Sequence, residues 1–173
     1  NPTYIQVVDE NHIISSAFNF VNVPSAAWVD EQGQIVRIDE GTYSQVHAFG
    51  EGDEGITFGT DVYEPALKDW IANGANSKHV QSSEKVVGNI RQHSSDQQKA
   101  DAAFRLGNLF RLHGDEKSAS EYWQMASELN PDSVNFIRQN LTLTEEGSAG
   151  ETFRTLMGEY VSAGKDYYRP LDL

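Results

Sequence analysis

Cysteine is missing from all 173 residues. A thiolate is the nucleophile of disulfide exchange and of peroxide reduction, so these residues alone can carry neither reaction. The same lack removes disulfides as a guide to redox compartment. Basic residues are scarce: Lys and Arg total 13 against 26 Asp and Glu, a formal net charge of −13. No stretch gathers the cations into a face able to neutralise phosphates, which argues against a nucleic-acid binder. No apolar run approaches the ~18 residues that a membrane-crossing helix needs, and no signal peptide is visible. His12 has no second His or Cys at metal-ligand spacing, and His47, His79, His93 and His113 lie scattered in polar stretches. Ser-His-Asp, His-Glu-x-x-His and phosphate-loop spacings are absent, so a hydrolase or metalloenzyme ranks last and no cofactor or metal is called for.

What is present suits one or two small domains, since 38% hydrophobic content is enough for a modest core. The region from Val21 to Asp39 organises the first half. Ala26 to Val29 is a continuous apolar run between Pro24 and Asp30, as in a strand buried on both faces, while Ile35, Arg37 and Ile38 fit a more exposed strand. Asp30-x-x-Gly33 between them is a hairpin signal: the carboxylate can accept from turn N–H groups and Gly33 can take positive φ. Upstream, Tyr4-Ile5-Gln6-Val7-Val8 predicts a strand and His12 to Phe20 a helix. Ile13, Ile14, Ala17, Phe18 and Val21 form its core-facing stripe, with Asp9 and Glu10 favouring its N-terminus. Read alone, Pro24 is a trans proline that starts an edge strand.

Strand, helix, Val23-Pro24-Ser25 and apolar hairpin strand together resemble the second half of a thioredoxin domain, particularly redoxins of the cytochrome-maturation and peroxide-reductase type. The resemblance covers residues 1–75. It implies that Pro24 is the family's cis-proline, and that the backbone at Val23 pairs with an extended substrate. It also implies an α/β fold that here lacks its first strand and its active-site helix, because the dithiol lies upstream of the strand that begins at Tyr4. The missing strand belongs between Tyr4–Val8 and Ala26–Val29, where its loss leaves backbone groups unpaired. The chain opens on Asn1-Pro2-Thr3, and the expectation is a C-terminal portion of a longer protein. An N-terminal segment or a second copy of the chain would complete the sheet.

Residues 41–63 turn acidic and glycine-rich. Asp53, Glu54 and Asp61 do not follow the EF-hand alternation, so a solvated insertion is expected rather than a calcium loop, with Tyr43, His47, Phe49 and Phe58 tacking it down. Glu64 to Ile71 predicts a helix with Pro65 in its first turn, a face of Leu67, Trp70 and Ile71, and a stop at Asn73-Gly74. Residues 76–98 form a linker with a helix over Glu84 to Arg91, carrying Val86, Val87 and Ile90.

From residue 99 to 173 an all-α module is expected. Leu106-Gly107-x-x-Phe110, Ala119-x-x-x-Trp123-x-x-Ala126 and Pro131 fall at the intervals of a tetratricopeptide repeat, which this module resembles. Gly107, Ala119 and Ala126 are small where two antiparallel helices approach, and Leu106, Phe110 and Trp123 fill the groove between them. His113-Gly114-Asp115 makes the turn and Pro131 stops the second helix. A plain helical hairpin is the alternative. Ser133 to Arg138 and Glu151 to Met157 predict further helices, separated by the loop Gly147 to Gly150, since one repeat does not bury both faces. Tyr160, Tyr167, Tyr168, Pro170 and Leu171 read as a tail that docks by its aromatics. Asn140-Leu141-Thr142 fits a glycosylation sequon, a short and common pattern.

Two functions stand ahead of the rest. The first is a thiol–disulfide oxidoreductase or peroxide-reductase-like protein whose redox residue lies upstream of this chain, with the helical module binding a protein partner. The second is a non-catalytic scaffold for protein–protein interaction. Fold resemblance alone does not choose between them.

Overall fold

The structure is a computed structural model, and it describes residues 3–9, 13–49, 56–142, 147, 150–165 and 167–173, without the side chains of residues 49 and 56–58. The described chain is mixed α/β. Its seven α-helices are α1 (Ile13–Ala17), α2 (Tyr63–Asn73), α3 (Ser83–Asn89), α4 (Ser95–Leu112), α5 (Glu116–Leu129), α6 (Val134–Leu141) and α7 (Glu151–Ser162). Strands β1 (Ser25–Val29) and β2 (Ile35–Glu40) form one two-stranded sheet, and β3 (Val46–Phe49) and β4 (Ile56–Gly59) another. Two compact units result. Asn1–Arg91 with Tyr168–Leu173 form the first, and Gln92–Tyr167 the second. The C-terminal tail therefore belongs to the first unit rather than to the helical module, and the boundary falls at Arg91 rather than at residue 98.

In the first unit β1 and β2 pair antiparallel, with Ala26 opposite Asp39 and Trp28 opposite Arg37. Their turn follows the Asp-x-x-Gly signal: the Asp30 carboxylate accepts from the N–H of Gln32 (3.0 Å) and Gln34 (2.8 Å), and Gly33 has φ +77°. Helix α2 covers one face of the hairpin. Trp28 stacks on Trp70 at 4.9 Å and meets Tyr63 edge-on, and the buried Trp28 Nε1–H donates to Tyr63 Oη at 2.7 Å. Ala66, Leu67, Ala26, Val36 and Leu171 complete this cluster. Ile71, expected on the buried face, is exposed, and Tyr63 and Ala66 occupy that face instead.

Strand β2, not β1, is the more buried of the pair: Arg37, Ile38, Asp39 and Glu40 are all buried. The cause is not local. Gln81 N–H donates to Val36 C=O at 2.9 Å along the outer side of β2, and the C-terminal tail covers its charged side chains. Tyr4–Val8 is not a strand. It is irregular and exposed, Ile5 at 92% and Val8 at 85%, because no neighbouring strand among the described residues offers it hydrogen bonds. The helix expected over residues 12–20 shortens to α1, with Ile13, Ile14 and Ala17 exposed rather than in a core. Asp9 caps it, accepting from the N–H of Ile13, Ile14 and Ser15, while Glu10 and His12 lie outside the described residues. Within residues 41–63, β3 pairs with β4, and Ser44, Gln45, Val46, Ala48 and Gly59 are exposed as expected of a solvated insertion, while Asp53 and Glu54 lie outside the described residues. Helix α3 buries Val86 but leaves Val87 exposed.

In the second unit, α4 and α5 pack as an antiparallel hairpin. Ser94 and Gln97 form a reciprocal capping box at the start of α4 (3.2 and 2.8 Å), and Asp115 caps α5 by accepting from Ser118 N–H at 3.0 Å. Gly114, at φ +79°, makes the turn. Ala100, Ala103, Ala126 and Phe136 are buried together, with Phe104 stacked on Phe136 at 4.7 Å. Helices α6 and α7 follow, α6 capped by Ser133.

Candidate functional site

Val23 and Pro24 stand where the chain turns into β1. The peptide bond between them is cis, the isomer that the thioredoxin resemblance implies. Val23 is 84% exposed, but its carbonyl is taken: Tyr168 Oη donates to it at 2.6 Å. The phenol oxygens of Tyr168 and Tyr43 are 3.0 Å apart, and their rings meet edge-on at 5.9 Å. Gly41, at φ +66°, lets Tyr168 pack close to the backbone, since a Cβ there would sit 3.1 Å from Tyr168 Cγ. One side of this rim is therefore the main chain at Val23–Ser25, and the other is the tail.

Beside the rim lies a charged cluster that sequence patterning did not single out. Arg37 is buried and forks onto Asp39, with Nε 2.5 Å and Nη2 3.2 Å from its carboxylate oxygens, while its guanidinium lies 5.4 Å over the Trp28 ring. Nη1 also donates to the His79 carbonyl (2.9 Å) and Nη2 to the Asp172 carbonyl (2.6 Å). Glu40, also buried, receives Arg91 in a bidentate pair (2.6 and 2.7 Å) and the Arg169 N–H at 3.3 Å. Burial pushes the Glu40 carboxyl up, but hydrogen bonds and charge from Arg91, and then from Arg169, outweigh it and hold the group below its ordinary value. Tyr63 is pushed up to about 12, mainly by burial and also by the Asp39 charge, so its phenol stays neutral and accepts from Trp28. The one visible signal for this cluster was Arg37-x-Asp39, whose two-residue spacing puts both on one face of a strand.

The helical positions singled out in the sequence divide unevenly. Gly107, Ala119, Trp123 and Ala126 are all buried, and Gly107 meets Trp123: the tryptophan is 1% exposed, and a Cβ on Gly107 would lie 2.4 Å from Trp123 Cδ1, while Ala126 packs with Ala100, Ala103 and Phe136. Trp123 Nε1–H donates to Asn108 Oδ1 at 3.0 Å, and Arg111 lies 5.8 Å over the ring. Phe110 stacks on Tyr122 at 5.3 Å, and exposed Pro131 follows the Asn130 cap. Leu106 does not fill the groove. It is exposed with Leu109 and Leu112, since it lies one residue, about 100° of helix, away from the Gly107 face. Asn140 of the sequon donates to Ser127 Oγ at 2.7 Å and to the Trp123 carbonyl at 3.4 Å, so its amide is engaged within the helical unit.

Comparison with known proteins gives no match: no family model, no curated protein and no solved structure resembles the chain closely enough to be reported. Among the described residues no group of three or more His, Cys, Asp or Glu could hold a metal ion, and no helix is long and apolar enough to cross a membrane.

Proposed function

We propose that these residues are the C-terminal portion of a thioredoxin-like thiol–disulfide oxidoreductase or peroxide-reductase-like protein. Its redox residue lies in a segment upstream of this chain, and its tetratricopeptide-like helices bind a protein partner. The observation that carries this reading is the outer edge of β1, which has no strand partner among the described residues. A two-stranded sheet is marginal by itself, and an unpaired apolar edge invites another strand. Here the edge belongs to Ala26–Val29, and one face of the hairpin is already packed against Trp70 and Tyr63. The exposed Tyr4–Val8 offers a second apolar segment for an incoming strand to lie against. In the proposed domain that strand runs into the helix that opens on the redox residue, which brings the residue beside Val23–Pro24.

The test is thiol–disulfide exchange and peroxide reduction by the longest natural polypeptide containing these residues, with the 173-residue chain as control. Activity in the longer chain that is abolished by replacing its cysteine, and none in the shorter, is the expected result. Equal inactivity in both leaves the second reading, a scaffold for protein–protein interaction. One observation favours that alternative: Leu106, Leu109 and Leu112 form an exposed stripe along α4.

A further inference from the structure

The tail Tyr168–Leu173 meets the rest of the first unit through Tyr168, Arg169, Leu171 and Asp172. Tyr168 donates to the Val23 carbonyl and packs on Gly41, and the Arg169 N–H donates to Glu40. Arg169 Nη1 also donates to the Asn89 carbonyl. Leu171 enters the cluster of Trp28, Tyr63 and Ala66. The Asp172 carbonyl accepts from buried Arg37, and its carboxylate pairs with Lys85. Tyr168 lies at the Gly41 end of β2 and Asp172 at Arg37, so the tail follows β2 in the opposite chain direction. It is read as a peptide ligand is read: a phenol at one end, an apolar anchor in a pocket, and main-chain groups held by fixed charges.

We infer that Tyr168–Leu173 is a built-in peptide strap that occupies the Val23 carbonyl of the docking edge, and that an extended partner with the tail's own chemistry pairs with that carbonyl only when the strap leaves. The inference rests on the reading of Val23 as a substrate-pairing position. Two features favour a removable strap. Val23, whose carbonyl the Tyr168 hydroxyl holds, is otherwise exposed, and Leu171, the strap's apolar anchor, is only partly buried. A strap carried on the same chain also binds intramolecularly, so a free peptide of equal intrinsic affinity is outcompeted until the strap is weakened.

The experiment uses the full chain and a fluorescein-labelled peptide with the sequence of residues 167–173. Val23–Pro24 is the single Val-Pro pair in the chain, so 13C-carbonyl Val with 15N-Pro labelling gives one signal that reports the hydrogen bond at Val23. In Leu171→Asp the Val23 carbonyl signal is expected to shift, the peptide to bind about tenfold or more tightly than to the unmodified chain, and bound peptide to return the signal. Tyr168→Phe, which keeps the ring and the fold, is expected to shift the same signal with a smaller gain in binding. It decides the matter if Leu171→Asp does not fold. An unshifted Val23 signal in Tyr168→Phe, or peptide binding no tighter once the strap is weakened, overturns the strap. Neither readout depends on a redox residue, so failure of the oxidoreductase reading shows separately, as an inactive longer polypeptide.

Discussion

Glu40 holds the first unit together at the point where the chain leaves it and where it returns. Its carboxylate takes Arg91, the last residue before the helical unit, and the N–H of Arg169, just after it. Because those partners keep its pKa below the ordinary 4.5 despite burial, the sign of the pH dependence is fixed. The lowered folded value means that Glu40 stabilises the fold fully above about pH 4.5, and that this contribution is lost as the pH falls through the folded pKa. Glu40→Gln is expected to destabilise the first unit by about 1–3 kcal/mol at neutral pH, the range for weakened hydrogen bonds to a charged group. It is also expected to flatten the loss of stability on acidification. Thermal unfolding of both proteins between neutral pH and pH 3 checks this, since Asp9, Asp69, Glu84 and Asp115, whose pKa values are also lowered, remain in both. An identical acid limb would remove Glu40 as the titrating group. None of this was legible beforehand, because the partners of Glu40 lie 51 and 129 residues away in sequence.

Elements were legible where a local pattern sufficed to bury them. The hairpin turn at Asp30 to Gly33 and the contact of Gly107 with Trp123 both depend on residue types at short, fixed intervals, and both are present. Leu106 was misplaced because apolar character alone does not distinguish adjacent helix positions about 100° apart. Tyr4–Val8 was misread for a different reason: β propensity describes a residue that already has a neighbouring strand. Burial of β2 was underestimated because the tail that covers Arg37 arrives from 135 residues away. The Gly107 contact yields a prediction at this scale. A methyl group there would stand 2.4 Å from Trp123 Cδ1 and 2.5 Å from Nε1, inside contact distance of a ring that is itself fully buried. Gly107→Ala is expected to destabilise the helical unit by about 1–3 kcal/mol through overpacking, even though alanine is the better helix former. Gly88→Ala, on α3 with nothing within 4 Å of the added Cβ, is the control that should be neutral or slightly stabilising. Chemical denaturation followed by circular dichroism separates the two, and equal midpoints would contradict the packing of α4 on α5.

For the whole molecule, the consequence lies in how the two units share one chain. The first unit is discontinuous, and the helical unit is the connection between its two pieces. Arg91 and Arg169, on either side of that connection in the chain, both bond Glu40. If the connection unfolds, docking the tail means closing a loop of about 75 flexible residues, which costs on the order of 4 kcal/mol of chain entropy. Stability of the helices is thus linked to occupancy of the strap without any contact between the units being required. Trp123→Ala removes the largest side chain buried between α4 and α5 and should cost the helical unit about 3–5 kcal/mol, close to its whole stability. In that variant, at a denaturant concentration that unfolds the helices but leaves the Trp28 cluster of the unmodified chain intact, amides of Tyr168–Leu173 and β2 are expected to exchange up to roughly a thousandfold faster. Amide exchange read by mass spectrometry distinguishes this from independent units, for which loss of the helices would leave tail protection unchanged. A partner that loosens the helices would then free the Val23 carbonyl by entropy alone, while one that stabilises them would hold the strap in place.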